Sequence, residues 1–224
     1  MIRIKVTCFL GILFSLSPEL GGADVTSSSR GSVDVYEVAI APKTPTTDTE
    51  GADTAAVLPR DLMPLKTGHV WRYKITKSPA KHPCKNVSTS TEVVEESKQN
   101  GHLVFKVRSF CPLGHFYEGP YDYFYFQGNH VNNWHGLWKN WIRWLDAPVK
   151  AGHQWHYGVK PNPASVWEKV DSITVPAGTF YDCWKKKLVT TRIHYQIYCP
   201  GVGEVKRFLP TGFEAELESF KLAP

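Results

Sequence analysis

The stretch "MPLKTGHVWRY" at residues 63–73 is written almost again as "APVKAGHQWHY" at residues 147–157. Pro, Lys, Gly, His, Trp and Tyr recur in register, and Leu65 is answered by Val149. In each copy a Pro-and-Gly turn leads into a run whose Trp and Tyr stand two apart, and on a strand that spacing puts both on one face. The repetition is read as an internal duplication: two β units, about residues 62–146 and 147–224, meet in one core, with Trp71 and Trp155 as plugs. The competing reading would make His69 and His153 the centres of two equivalent ligand sites. A Gly-His turn ahead of a buried Trp needs no ligand to explain it, and the structural reading is preferred.

Working outward, the chain from about residue 60 is made of short alternating runs split by turn residues: "HVWRYKIT", "TSTEVVEES", "HLVFKVRSF", "YDYFYFQ", "NHVNNW", "HQWHYGV", "WEKVDSITV", "YDCWKKKLV", "IHYQIYC", "EVKRFL" and "FEAELESFKL". Period-two alternation rich in β-branched and aromatic residues marks antiparallel strands, and helical periodicity is nearly absent. "QNGH" at 99–102 and "QGNH" at 127–130 predict hairpin turns, as does "VPAGT" with Pro176 and Gly178. In "CPGVGEV", Gly201 and Gly203 predict a bulge or a close backbone approach. The expected fold is all-β, antiparallel meanders forming curved sheets, half-barrel or barrel-like.

The N-terminus reads as a secretory signal peptide over residues 1–23, with Arg3 and Lys5 ahead of the apolar run "VTCFLGILFSLS" and small residues up to Ala23. The run stops at Pro18, short of the roughly 20 apolar residues a membrane helix needs. Cys8 lies inside it and is not placed as an acylated cysteine. Residues 24–58, rich in Ser, Thr, Ala, Asp and Pro, read as a flexible linker, and residues 59–224 as a single β domain. The alternating island "VDVYEVAIA" within the linker could add to a sheet edge. These features predict a secreted or periplasmic protein with no transmembrane segment after signal removal.

Twenty-six Lys and Arg against 21 Asp and Glu leave a mild formal charge of +5, and the basic residues are scattered. Nucleic-acid binding calls for a concentrated basic footprint, and none is expected here. The exception is "WKKK" at 184–187, which on a strand sends Lys185 and Lys187 to one solvated face. Beyond Cys8 there are four cysteines, and an even count in an exported chain reads as disulfides. Cys183 and Cys199 flank a hairpin centred near residue 191, and Cys84 and Cys111 flank another, which favours the pairs 84–111 and 183–199. Each such loop contributes about 3 kcal/mol in the chain-entropy account. Zinc is the alternative, but no Cys-x-x-Cys is present, and no cofactor is expected.

Aromatic residues crowd positions 116–157, and five of the eight Trp lie between 134 and 155. Tyr and Trp pair large apolar area with a polar handle, which suits sugar rings, lipid tails and protein surfaces. In "YDYFYF" the tyrosines 121, 123 and 125 share one face, and Phe124 and Phe126 the other. The spacing of three in "WKNWIRW" fits neither a strand nor a clean helical stripe, which suggests exposed Trp along a groove or loop. Tyr123, Tyr125, Trp138, Trp141 and Trp144 are therefore the candidate ligand-binding residues, against the plain alternative that they are core. The Trp-x-x-Trp spacing also matches C-mannosylation sites and "NVS" at Asn86 an N-glycosylation sequon, relevant only in a eukaryotic secretory pathway. No His-Glu-x-x-His, Gly-x-Ser-x-Gly or phosphate-binding glycine loop occurs. His115, His130 and His135 surround the aromatic segment and could meet Asp122 or Glu118.

The phrases "VPAGTFYDCWKKK", "YCPGVGEVKR" and "ELESFKL", together with the doubled Pro-x-Lys-x-Gly-x-x-Trp-x-Tyr phrase, resemble the TapB-like family of exported bacterial β proteins of unknown function, over about residues 62–222. The resemblance implies a bacterial envelope or extracellular protein of curved antiparallel sheets, distantly like the half-barrels of lipoprotein carriers. Many relatives resemble lipoproteins, whereas this chain lacks an acylation cysteine. The family often has a small residue where this chain has Cys199, a departure that suggests an extra disulfide here. It implies no catalytic residues. The expected function is thus a non-enzymatic exported domain binding an apolar or amphipathic ligand, or a partner surface, in an aromatic-lined concavity, the partner being a lipid, a glycan or an envelope protein. The alternatives are a secreted hydrolase using His115 or His135 with a carboxylate, and a purely structural envelope module.

Overall fold

The computed structural model describes residues 56–79, 88–110, 121–135, 139–156 and 164–224. All belong to the compact unit Ala52–Pro224. The expected signal peptide, residues 24–55 of the expected linker, Asn86 and the Cys84–Cys111 pair lie outside the described residues. So do His115, Glu118 and Trp138.

Twelve antiparallel strands form one nearly closed, barrel-shaped sheet, with no helix among the described residues. In chain order they are β1 (Val70–Lys77), β2 (Thr89–Gln99), β3 (His102–Phe110), β4 (Tyr121–Gln127), β5 (His130–His135), β6 (Asn140–Leu145), β7 (Gln154–His156), β8 (Ala164–Val175), β9 (Gly178–Leu188), β10 (Tyr195–Cys199), β11 (Gly203–Phe208) and β12 (Glu214–Lys221). Across the sheet the order is β6-β5-β4-β3-β2-β1-β12-β11-β10-β9-β8-β7. Two six-strand meanders, one after each copy of the doubled phrase, therefore meet where β1 pairs with β12.

The predicted turns form where their residues demand. Asn100 and Gly101 both hold positive φ, 49° and 81°, between the paired ends Gln99 and His102, the primed turn whose twist matches a hairpin. Gln127 and His130 close the next hairpin, and Val175 faces Gly178 across Pro176 and Ala177. Eleven strands coincide with the alternating runs. The twelfth, β6, is where the expectation fails. Trp141 and Trp144 are three apart, and on a strand that puts them on opposite faces: Trp141 is half-buried outside, while Trp144 is buried inside. An irregularity in the β5–β6 register between Val131 and Asn132 accommodates the run.

The two copies of the phrase close the same turn. Gly68 N–H donates to Val93 O at 2.8 Å and His69 N–H to Lys66 O at 3.0 Å, while Gly152 N–H donates to Trp167 O at 2.8 Å and His153 N–H to Lys150 O at 3.0 Å. Each copy then sends its Trp across to the other half of the molecule. Trp71 Nε1 donates to Val202 O at 2.6 Å, and Trp155 Nε1 donates to Arg143 O at 3.3 Å. Trp167 Nε1 adds a bond of 2.9 Å to Asp146 O. Strands β6 and β7 are the sheet's two edges, and these last two indoles satisfy carbonyls at and just beyond the end of β6, which an open sheet would leave exposed. Gly203 makes room for the first plug. Its φ is +106°, and a Cβ there would stand 3.1 Å from Trp71 Nε1, so the anticipated close approach is real.

Cys183 and Cys199 are bonded, because Tyr198 pairs with Trp184 and the next positions face one another across β9 and β10. Segment 58–62 turns back over the core: Asp61 N–H donates to Leu58 O, Gly201 N–H to Asp61 O, and Leu62 is wholly buried.

Candidate functional site

Inside the barrel, Trp71, Tyr73, Phe124, Trp144 and Tyr198 fill most of the space. The cavity left among them is about 60 Å³, with Asp122, Asn133, Glu204 and Arg207 on its wall. A ligand of ordinary size takes about 300–1,000 Å³, so this interior holds a few waters at most. Among the described residues the concave face leaves no ligand-sized space where the aromatic crowding suggested a groove, because large side chains from both halves interdigitate there.

The interior is nevertheless charged. Glu204 accepts two bonds from Arg207, from Nε at 2.5 Å and Nη2 at 2.7 Å, and a third from Gln196 Nε2 at 3.0 Å. Burial opposes the charge on Arg207, and the adjoining Glu204 carboxylate more than restores it, so the guanidinium holds its proton even more tightly than usual. Lys186 is also fully buried, with Nζ 3.3 Å from the centroid of the Trp144 indole. Burial pushes its pKa well below the ordinary lysine value; Glu204 pulls it partly back, and Arg207 pushes it further down. Burial likewise raises the Tyr198 hydroxyl, with Glu204 adding to the effect. That hydroxyl accepts Trp144 Nε1 at 3.2 Å.

The outer face of β3–β6 carries the aromatic feature that is open to solvent. His102, Tyr125, Trp141 and Trp134 form a row of half-buried rings. Tyr125 lies 4.6 Å from His102 and 4.7 Å, edge to face, from Trp141, which stands 5.5 Å from Trp134. Register puts them together: Trp134 pairs with Trp141 across β5 and β6, and Tyr125 pairs with Val104 across β3 and β4. Gln99, Asn100, His102, Val104, Tyr125 and Trp141 enclose a hollow of about 240 Å³. Val104, buried, is its floor.

Of the five residues singled out from sequence, Tyr125 and Trp141 meet at this hollow. Tyr123 lies on the same outer face, opposite Lys106, and is not in its wall. Trp144 is brought inside, as a core residue. His102 and Trp134 were missed, since nothing in a linear reading pairs residues across four strands. The interior Lys186 was legible: if Lys185 and Lys187 face solvent, strand parity sends Lys186 the other way. Both outer lysines pair with Glu168, as the solvated-face reading requires.

The histidines assemble differently from expectation. His130 is paired with Asp146 and not with Asp122: its Nδ1 lies 2.7 Å from Asp146 Oδ1, while His153 Nε2 lies 2.9 Å from Asp146 Oδ2 and Arg143 Nη1 3.1 Å from Oδ1. His135 is buried, and desolvation lowers its pKa. His69 Nδ1 bonds Pro64 O at 2.8 Å. Both phrase histidines thus tie down their turns. Asp146, with each oxygen engaged, acts as a clamp joining the β4–β5 turn, β6 and the second phrase. No group of three or more His, Cys, Asp or Glu side chains able to hold a metal occurs among the described residues. Nor is any helix there long and apolar enough to cross a membrane.

Among solved structures the chain is similar to a candidate lipoprotein of Parabacteroides distasonis ATCC 8503, at TM-score 0.40 and 18% identity over 70% of this chain and 96% of that one. It is also similar to a candidate exported protein with a YmcC-like fold from Bacteroides fragilis NCTC 9343, at TM-score 0.38 and 13% identity over 70% and 97% of the two chains. No family model and no curated protein matches the chain.

Proposed function

We propose that this chain is an exported, non-enzymatic β domain that binds an amphipathic ligand on its outer face, in the hollow walled by His102, Tyr125 and Trp141. The observation that carries this reading is the division of aromatic residues between two faces. Those inside are consumed by the core, whereas the outer row leaves ring surface beside water, where an apolar face with polar tips gains most from a ligand. At about 240 Å³ the hollow approaches the lower end of ordinary ligand pockets, roughly 300 Å³. Export rests on the signal-like N-terminus, which places the protein in a secreted or periplasmic setting. The matching turn bonds and the six strands after each phrase support descent of the two halves from one duplicated unit, in keeping with the TapB-like resemblance.

The test is native mass spectrometry of the full chain isolated from a secreted or periplasmic preparation, beside Trp141→Ala and Tyr125→Ala. A lipid or glycan adduct on the native protein, lost from both variants while their thermal transitions stay cooperative, is the expected result. A bare native mass, or an adduct that survives both substitutions, would overturn the proposal.

A further inference from the structure

We infer that the outer hollow is a subsite for a neutral sugar ring, an inference that rests on the ligand-binding reading above and narrows it to one class. The wall decides the class. Gln99, Asn100, His102, Val104, Tyr125 and Trp141 include no carboxylate, ammonium or guanidinium. Of the cationic side chains flanking the wall, Arg143 directs its guanidinium to Asp146 at 3.1 Å and Lys106 its ammonium to Glu95 at 3.6 Å. An anionic headgroup or a cationic ligand would therefore find no counter-charge in the wall. A saturated acyl chain would use the rings and strand the amides against apolar surface, which costs the polar groups their hydrogen bonds.

A pyranose uses both kinds of group. Its C–H face packs on aromatic rings, and its edge hydroxyls both donate and accept, which suits side-chain amides and an imidazole. The hollow offers ring surface along one side and Asn100, Gln99 and His102 along another. On the polar side the backbone is set by the two-residue turn, with Asn100 at a φ of 49° and Gly101 at 81°. Gln99 Nε2 is further oriented by Ser97 Oγ at 3.2 Å. A backbone already set in the turn lowers the ordering cost of binding there. The row runs past the hollow to Trp134, 5.5 Å beyond Trp141, so the ring surface extends in the direction a longer glycan would take.

The test titrates the full-length oxidised protein, followed by tryptophan fluorescence and calorimetry, with neutral tetrasaccharides of the β-glucan, α-glucan, mannan and N-acetylglucosamine series. Lysophosphatidylcholine below its micellar concentration serves as the competing ligand. Two variants are compared: Trp141→Ala removes a ring, and Asn100→Gly removes only the amide while keeping the turn. The expected result is saturable binding of at least one tetrasaccharide, weakened about tenfold by Trp141→Ala, the loss one aromatic contact would give, and measurably by Asn100→Gly. Lysophospholipid binding that depends on Trp141, with no tetrasaccharide bound, would overturn the sugar assignment and leave the ligand-binding reading standing. If no probe binds, or if binding ignores both substitutions, the hollow is not a ligand site and both conclusions fall.

Discussion

Replacing Lys186 by Met tests the account of the charged interior most directly. The lysine is wholly buried against the Trp144 ring, in a space where the Glu204 carboxylate is already bonded twice by Arg207 and once by Gln196. Met fills nearly the same volume without a charge to desolvate, and Glu204 keeps its partners. Exchanging buried ionic groups for well-packed apolar ones is commonly neutral or stabilising by about 1–4 kcal/mol, and a gain within that range is expected at pH 7. The sign of the pH dependence follows from the lowered pKa. In the unfolded chain the lysine titrates near its ordinary value of 10.5, and in the folded protein well below it. Between those two values the unfolded state binds more protons, so native stability rises with pH across that window. It is insensitive to this group below the folded value and above 10.5. The slope cannot exceed one proton, about 1.4 kcal/mol per pH unit. Urea denaturation of the oxidised protein at several pH values between 7 and 10 should therefore show the advantage of the variant shrinking as pH rises. A loss of about 3 kcal/mol or more at pH 7, with parallel profiles for the two proteins, would refute the reasoning. It would mean that Lys186 is charged and is needed as a counter-ion to Glu204.

Two further substitutions probe how the halves are joined. Gly203→Ala places a methyl against the Trp71 indole at a φ of +106° and should cost about 1–3 kcal/mol in a thermal or urea melt; an unchanged melting temperature would show that the plug has slack. Asp146→Asn keeps the size of the clamp and removes the charge facing His130, His153 and Arg143. It should cost roughly 1.5–3 kcal/mol by urea denaturation, as loss of charge-assisted bonds does, and equal stability of the two proteins would reduce the clamp to a packing contact.

Period-two alternation marks a strand whatever it packs against, which is why eleven runs were readable and why Asn100-Gly101 located its turn. The Cys183–Cys199 bond was also readable, because a hairpin makes partners of residues equidistant from its turn. Strand β6 escapes this pattern because its tryptophans stand three apart, a spacing that on a strand reports two opposite faces.

From its own residues the chain determines the strands, the turns, the twice-written phrase and the parity that splits Lys186 from Lys185 and Lys187. Those properties depend only on backbone geometry and nearest neighbours. Tertiary structure alone decided which face became the inside. Trp144 and Trp141 are the same residue type three positions apart, yet closure of the sheet buries one against Tyr198 and Lys186 and leaves the other beside Tyr125. The partners of Asp146, the Glu204–Arg207 pair in the core and the four-strand aromatic row likewise depend on curvature and register. Both are set by packing of the whole sheet, and no local stretch encodes them.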